Sequence, residues 1–138
     1  MTASIYAGNK ILDALLRGQP FNAPKQLYMS LHTAEPGETG ANEVSVQQWP
    51  SYSRSDLSGG TSLSEAFLAP SGKQTRNAKQ LAWPTHNGTA PVTVSHFALW
   101  DAPTSGNCIW TGPLAVSKTL GPTDECVVHA EQMTLTVL

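Results

Sequence analysis

The stretch from Pro91 to Leu114 constrains the fold of this 138-residue chain most strongly. Residues 92–100 are rich in β-branched and aromatic side chains, which is typical of a β-strand. Residues 101–107 contain Pro, Ser, Gly and Asn, and they predict a turn longer than a two-residue hairpin loop. Residues 108–110 resume strand chemistry, so the stretch predicts a strand, a turn and a returning strand.

Alternation of side chains along the first of these strands sends two sets of residues to opposite faces. One set is Val92, Val94, His96, Ala98 and Trp100, and the other is Thr93, Ser95, Phe97 and Leu99. Both sets contain large apolar groups, so we expect a central strand that is covered on both sides. His96 lies among apolar neighbours and is interpreted as a buried or half-buried histidine rather than a ligand.

The N-terminal segment carries the pattern of an amphipathic helix. Ser4 can cap the helix, and Gly18 stands where the helix would end. Between them, apolar residues recur at helical spacing, namely Ile5, Ile11, Leu12, Leu15 and Leu16. This pattern predicts one helix at about residues 4–17. Its apolar face would dock either on the sheet or on a neighbouring subunit.

The rest of the chain alternates short apolar runs with polar turns. Strands are predicted at residues 27–33, 114–120, 126–130 and 133–138, with shorter extended runs at 43–49 and 52–57. We therefore expect a mainly β protein, with a jelly-roll-like β-sandwich and one N-terminal amphipathic helix. A single domain would span residues 1–138, with the helix at about 4–17 and the sandwich at about 25–138.

Composition narrows the possible partners. Charged residues make up only 13% of the chain, the net charge is −2, and no basic block occurs, so direct nucleic-acid binding is not expected. No apolar run is long enough to span a membrane, and no signal peptide is visible. Cys108 and Cys126 are interpreted as free thiols in a reducing compartment, with one disulfide as the alternative.

No pattern of catalytic or metal-binding residues is found. The four histidines have no ligand spacing with one another, with Cys or with carboxylates, and no hydrolase or phosphate-loop motif occurs. We expect no catalytic residue, no metal and no cofactor. Lys73, Arg76 and Lys79 give residues 71–79 a local positive charge, which fits either a solvated loop or a contact with an acidic partner.

Aromatic residues and one polar loop are the candidates for binding. Trp49, Tyr52 and Trp83 would either be core residues or, if exposed, stack on sugars or bases. The loop of residues 34–42 has turn composition throughout and a length that is often functional. Residues predicted to bind a partner are Leu15, Leu16, Glu35, Pro36, Gly37 and Trp49.

The order of motifs resembles that of a known family. The helix ending in residues 11–18 is followed by Leu27-Tyr-Met-Ser-Leu-His-Thr-Ala-Glu-Pro-Gly-Glu-Thr-Gly40, by Val94-Ser-His-Phe-Ala-Leu-Trp-Asp-Ala102 and by Ser117-Lys-Thr119. This order is similar to that of small tailed-bacteriophage virion proteins. That family includes tail-fibre or minor structural proteins and jelly-roll capsid cement proteins. The resemblance implies a structural role in the particle without catalysis.

Two hypotheses follow from the resemblance. A capsid cement protein would clamp neighbouring major capsid subunits as a dimer or trimer on the capsid surface. A tail or tail-fibre component would bind tail proteins and contribute to binding host carbohydrate or another receptor. Either protein would be made in the bacterial cytoplasm and lie in the virion. The sequence favours cement, because it lacks the coiled coil or repetitive shaft expected of a fibre.

Overall fold

The computed structural model of the chain describes residues 2–137. Within this range the chain is mainly β with a single α-helix, as the sequence predicts. The elements are β1 (Thr2–Ala3), α1 (Ile5–Arg17), β2 (Tyr28–His32), β3 (Ser55–Asp56), a 3-10 helix (Leu63–Glu65), β4 (Gln74–Arg76), β5 (Leu81–Ala82), β6 (Val92–Trp100), β7 (Cys108–Leu120), β8 (Val127–Val128) and β9 (Thr134–Thr136). Across residues 2–137, helices long and apolar enough to cross a bilayer are not found.

The predicted strand, turn and returning strand are confirmed by β6 and β7. The two strands pair antiparallel, and β7 joins two separately predicted pieces, 108–110 and 114–120, into one strand. Asp101 organises the turn between them. Its carboxylate accepts hydrogen bonds from the backbone N–H of Asn107 at 2.7 Å and from the side-chain amide of Asn107 at 2.9 Å. The side chains of the turn thus satisfy backbone groups that a tighter hairpin would pair directly.

A register shift changes which side chains of β6 face the core. Val94 pairs with Lys118 but His96 pairs with Pro113, so residues 114–117 of β7 bulge away from β6. One core contains Val92, Val94, Phe97 and Leu99. A separate cluster contains Ala98, Trp100 and Cys108. The predicted strict alternation of side chains between the two faces is therefore wrong for β6. The register shift moves the side chains that follow it to the opposite face.

Three antiparallel sheets make up the β structure of residues 2–137. The largest has five strands in the order β1-β7-β6-β2-β3, while β4 pairs with β9 and β5 with β8 in two-stranded sheets. The small sheets join distant parts of the chain, with Thr75 opposite Leu135 and Leu81 opposite Val128. This strand order confirms a mainly β architecture, but the predicted jelly-roll topology is not confirmed.

The main core lies on one face of the five-stranded sheet. Met29, Leu31 and Phe97 from the sheet are buried together with Trp49 and Trp83 from the covering segments. Trp49 is 0% exposed, its ring lies 5.3 Å from that of His86, and its indole N–H donates to Ser51 Oγ at 3.0 Å.

The prediction that Trp49 is an exposed partner contact is therefore wrong. The polar residues around Trp49 in the sequence suggested exposure, but burying its large apolar ring stabilises the fold more than those neighbours indicate. Tyr52 packs against the core and Trp83 is buried within it, so all three aromatics take the core alternative.

α1 begins and ends where the sequence predicts. Ser4 Oγ accepts a hydrogen bond from the backbone N–H of Ala7 at 3.1 Å and donates to the carbonyl of Cys108. Gly18 ends the helix in the left-handed conformation, with φ of 64°. The helix lies against β1 and β7.

The side of α1 that faces the sheet is not the predicted one. Ala7 is 5% exposed, whereas Leu15 and Leu16 are 78% and 76% exposed. β1 pairs with β7 and leads directly into α1, so the small Ala7 side chain is turned toward the sheet. The prediction that the sheet buries Leu15 and Leu16 is therefore wrong. Their burial by a partner subunit stays a prediction.

Candidate interaction surfaces

The largest exposed apolar surface on α1 is a stripe formed by Ile5, Leu12, Leu15 and Leu16. Their exposed fractions are 54%, 55%, 78% and 76%. A 3.6-residue turn places these four positions on one side of the helix, away from Lys10, Asp13 and Arg17. Apolar helix faces of this kind normally contact another surface, so the α1 stripe is a candidate interface.

The predicted binding loop, residues 34–42, folds tightly onto the sheet. Glu35 and Gly37 are exposed, but Pro36 is fully buried and cannot offer its side chain to a partner. Pro36 O accepts hydrogen bonds from the backbone N–H groups of Gly40 and Ala41 at 3.1 and 2.8 Å. The Pro36 side chain thus points into the protein, and the Pro36 carbonyl pairs with backbone N–H groups of the same loop. Contact with a partner through Glu35 and Gly37 stays a prediction.

Gly40 fixes this loop against Trp100. Its φ is 82°, and a Cβ built on it would lie 2.4 Å from Trp100 Cζ2. Only glycine permits both the left-handed backbone and this close approach. Trp100 Nε1 in turn donates to Ser30 Oγ at 2.7 Å. The indole of Trp100 is thus held by the loop on one side and by β2 on another.

An ion pair locks the same region. Arg54 donates to both carboxylate oxygens of Glu43, at 2.8 and 2.9 Å, and its guanidinium carbon lies 3.9 Å from the Trp100 ring centroid. It also donates to the carbonyls of Ala102 and Ser105, each at 2.9 Å. One side chain therefore connects Glu43, which directly follows the loop of residues 34–42, with the β6–β7 turn.

The charge state of this pair is set by competing effects. Burial acts to raise the pKa of Glu43, but hydrogen bonds from Arg54 and Tyr52 outweigh it, and the pKa is lowered. Burial and the Glu43 charge raise the pKa of Tyr52, whose hydroxyl donates to Glu43 at 2.9 Å. Tyr52 stays neutral and Glu43 stays ionised, so the contacts are those of a structural ion pair.

Ser30 and His32 form the pair that most resembles catalytic machinery. Ser30 Oγ lies 2.6 Å from His32 Nε2, and His32 Nδ1 lies 2.7 Å from the carbonyl of Ala41. Because a carbonyl only accepts, Nδ1 carries the proton, and Ser30 donates to Nε2. Both residues are 0% exposed, and Ser30 Oγ also accepts from Trp100. No substrate could reach this hydroxyl, so the pair acts structurally.

The two thiols are also buried, and the possible metal ligands are scattered over the protein. Cys108 and Cys126 are both free and buried. Burial raises the pKa of the Cys108 thiol to about 11 and also raises that of Cys126, so both are poor nucleophiles at neutral pH. Across residues 2–137, groups of three or more His, Cys, Asp or Glu that could hold a metal are not found.

The three basic residues of segment 71–79 do not act together. Lys79 donates to the carbonyl of Ser58 at 2.9 Å, contacts Thr61 Oγ1 and lies 3.6 Å from Glu65. Its charge is therefore used within the chain. Lys73 and Arg76 are exposed and remain available to solvent or to a partner.

The bulge of β7 borders an apolar cleft of about 430 Å³. Buried Met29, Phe97 and Met133 line it together with Val116 and Val128. Val116 is 73% exposed, so the bulge carries an apolar side chain at the edge of an apolar hollow. Within the described part of the chain β1 pairs with β7 at Trp110 and Thr111, so the bulge at residues 114–117 lies beyond these paired positions. The cleft is the second candidate interface.

Comparison with known proteins assigns the chain to a family. No curated protein matches it significantly. The sequence model of a family described as podophage GP4 fiber I protein gp80 matches residues 2–136, which is nearly the whole chain. This match confirms the predicted resemblance to bacteriophage virion structural proteins. The chain, a structural component of a phage virion, belongs to the family of the podophage GP4 fiber I protein gp80.

Proposed function

We propose that the chain is a tail-fibre-type component of the virion. The observation that carries the proposal is the match to a fibre family over residues 2–136. That description names a fibre protein, so it supports the tail-fibre hypothesis better than the capsid-cement hypothesis that the sequence favoured. The absence of a coiled-coil shaft was a weak reason to favour cement, because a fibre can be built from several different chains.

The proposed role is structural rather than catalytic. The Ser30–His32 pair is sealed from solvent, and both thiols are buried. The functional surface is instead the exterior of the protein. The α1 stripe and the β7 cleft are apolar, and only 13% of the residues are charged. Attachment to neighbouring virion proteins would then depend on apolar burial and backbone hydrogen bonds.

The β7 cleft is the surface we assign to attachment on another tail protein. An apolar side chain of the partner would enter the cleft, and Val116 would pack beside it. Val116→Lys should reduce incorporation into particles by more than tenfold. The matched control is Ser117→Lys, which adds the same charge at a neighbouring exposed position outside the cleft lining. Equal incorporation of both variants would remove the cleft from the proposal.

Location and copy number in the particle test the proposed function itself. Cryo-electron microscopy of particles that carry a tagged copy should find the protein on the tail, in far fewer copies than the major capsid protein. Decoration across the capsid, in numbers comparable with capsid subunits, would overturn the tail-fibre assignment in favour of cement.

Host-surface binding is the second candidate function, and one observation favours it. A smaller apolar pocket of about 220 Å³ is lined by Trp110, Leu135, Val137 and the aliphatic parts of the Lys73 and Gln74 side chains. An aromatic ring in an apolar hollow suits the apolar face of a sugar ring. Lys73→Ala with Gln74→Ala should then weaken binding to host cells, whereas Arg76→Ala, outside the pocket, should not.

A further inference from the structure

Asn87 and Gly88 form the one Asn-Gly pair in the sequence. Asn87 is exposed and Gly88 is half-buried. A Cβ built on Gly88 would lie 2.5 Å from the carbonyl oxygen of Gln48 and 2.6 Å from His86 Cε1, so the packing of the loop requires glycine here. Because glycine has no side chain, its backbone nitrogen is not shielded from the neighbouring Asn87 amide.

Ser51 fixes the Asn87 side chain and polarises its amide. The backbone N–H of Ser51 donates to Asn87 Oδ1 at 2.8 Å, which identifies that atom as the amide oxygen. Ser51 is itself held in place, since its hydroxyl donates to the Thr85 carbonyl at 2.6 Å and accepts from the Trp49 indole at 3.0 Å. A donor held on this oxygen would stabilise negative charge that develops there.

His86 places a basic nitrogen on the Gly88 N–H. The Gly88 N–H donates to His86 Nδ1 at 3.0 Å, and His86 Nε2 lies 2.9 Å from the Ala90 carbonyl. Because a carbonyl only accepts, Nε2 carries the ring proton and Nδ1 has the free lone pair. The ring is 0% exposed and packs 5.3 Å from the Trp49 ring, so its orientation is fixed.

We propose that the folded protein deamidates itself at Asn87, with His86 as the base. The Gly88 N–H gives its proton to His86 Nδ1 while the Gly88 nitrogen bonds to Asn87 Cγ, and the Ser51 N–H stabilises the charge on Oδ1. The Cγ–Nδ2 bond of Asn87 then breaks, and Nδ2 takes the proton back from His86 and leaves as ammonia. Water opens the resulting succinimide to aspartate or to isoaspartate.

The two products have different effects on the fold. Aspartate leaves the main chain unchanged, and its carboxylate accepts the Ser51 N–H more strongly than the amide does. Isoaspartate adds a carbon to the main chain directly before Gly88, which is packed against Gln48 and His86. Isoaspartate should therefore loosen the loop, so that older copies of the chain become more negatively charged and less stable.

Mass spectrometry of the stored protein at neutral pH tests the proposal against a synthetic peptide of residues 82–93, which has the same Asn-Gly pair without the fold. Asn87 should convert at least tenfold faster in the folded protein, because a positioned base accelerates proton transfer by about a hundredfold or more. Isoaspartate should be among the products, since direct hydrolysis of the amide gives aspartate alone. Conversion no faster than in the peptide would overturn the proposal, as would aspartate as the sole product.

His86→Gln tests the base itself. Glutamine can accept the Gly88 N–H but cannot take up its proton, so conversion should fall at least tenfold. His129→Gln makes the same substitution at an exposed histidine and should convert at the wild-type rate. An unchanged rate in a folded His86→Gln variant would overturn the role of His86. If that variant does not fold, the comparison of wild type with the peptide decides. The reaction does not depend on whether the chain lies on the tail or the capsid.

Discussion

At the scale of single residues, Arg54 joins Glu43, which directly follows the loop of residues 34–42, to the β6–β7 turn. Arg54 contacts Glu43, the Trp100 ring and two carbonyls of the β6–β7 turn. Its side chain is 7% exposed and that of Glu43 is 24% exposed. Loss of one partner would leave the other charge partly buried and unpaired, which costs far more than the loss of an exposed pair.

Arg54→Ala should therefore lower the free energy of unfolding by about 3 kcal/mol. Arg17→Ala, which removes an ion pair whose side chains are 71% and 44% exposed, should change it by less than about 0.5 kcal/mol. Urea denaturation of both variants measures the difference. Similar losses for the two would mean that the Arg54 network adds nothing beyond a surface pair.

Substituting the two glycines of the loop distinguishes the cost of a steric clash from the cost of backbone strain. Gly37 and Gly40 both have positive φ, at 64° and 82°, but only Gly40 faces Trp100. Gly37→Ala should cost about 1 kcal/mol, the ordinary penalty for alanine in the left-handed region. Gly40→Ala should cost clearly more, because its Cβ would also displace the indole. Thermal unfolding compares the two, and equal costs would show that Trp100 yields freely.

His32 should make stability fall as the solution becomes mildly acidic. Burial lowers its pKa below the ordinary value of 6.5, despite an opposing contribution from the hydrogen bond to Ala41 and from nearby Glu43; Arg54 and His96 act in the same direction as burial. Between the lowered pKa and 6.5, the unfolded chain binds a proton that the folded chain does not. Stability from this residue is therefore complete above pH 6.5 and is lost as pH falls below that value.

The measurement is the melting temperature between pH 7.5 and 5, where wild type should lose stability and His32→Gln should show a flatter profile. Glu43, whose pKa is lowered from 4.5, contributes only at lower pH and so does not obscure this window. An identical slope in both proteins would assign the pH dependence to other groups.

At the scale of elements, α1 packs on the sheet through Ala7 and not through the large apolar residues that its sequence pattern emphasises. Leu15→Ala should leave the free energy of unfolding of the monomer within about 0.5 kcal/mol of wild type, as for surface substitutions. Ala7→Leu should lower it by about 1–3 kcal/mol, because the added volume must enter the packed contact with β7. Urea denaturation at low protein concentration checks both, and a large loss for Leu15→Ala would mean that this side chain is buried within the monomer.

The sequence predicts the elements that depend on local pattern. β6 and α1 are predicted almost to the residue, because caps, turn formers and periodicity all act within a few positions. Residues 43–82 are predicted poorly: 43–49 form turns and a single bridge instead of a short strand or extended run, and β4 lies inside a segment interpreted as a loop. β4 exists through its pairing with β9, sixty residues later, which local sequence does not encode.

The candidate surfaces were partly predictable. Leu15 and Leu16 stand out from helical spacing, and the structure leaves them exposed. Trp49 and Pro36 were misplaced because both sit among turn-forming residues, and only the folding of distant segments over them buries them. The β7 cleft had no sequence signal, since the irregular pairing between β6 and β7 produces the bulge beside it.

At the scale of the whole molecule, the scarcity of charge determines how attachment should respond to salt. With 8 basic and 10 acidic residues in 138, attractive patches are hard to build. Exposed charges are also screened within about 10 Å at 0.1 M salt. Particles washed across a salt series should therefore retain the protein well above physiological ionic strength. Release by moderate salt alone would indicate an electrostatic contact, with Lys73 and Arg76 as the residues to replace.

The placement of the tryptophans gives the protein a built-in optical reporter. Trp49, Trp83 and Trp100 are buried, and the α1 stripe contains no tryptophan. Unfolding would expose these indoles to water and shift their fluorescence to longer wavelength, whereas contact of a partner with the α1 stripe would leave the three buried rings in the same surroundings. Emission and sedimentation measured on one sample would therefore distinguish a variant that fails to fold from a variant that folds and fails to assemble.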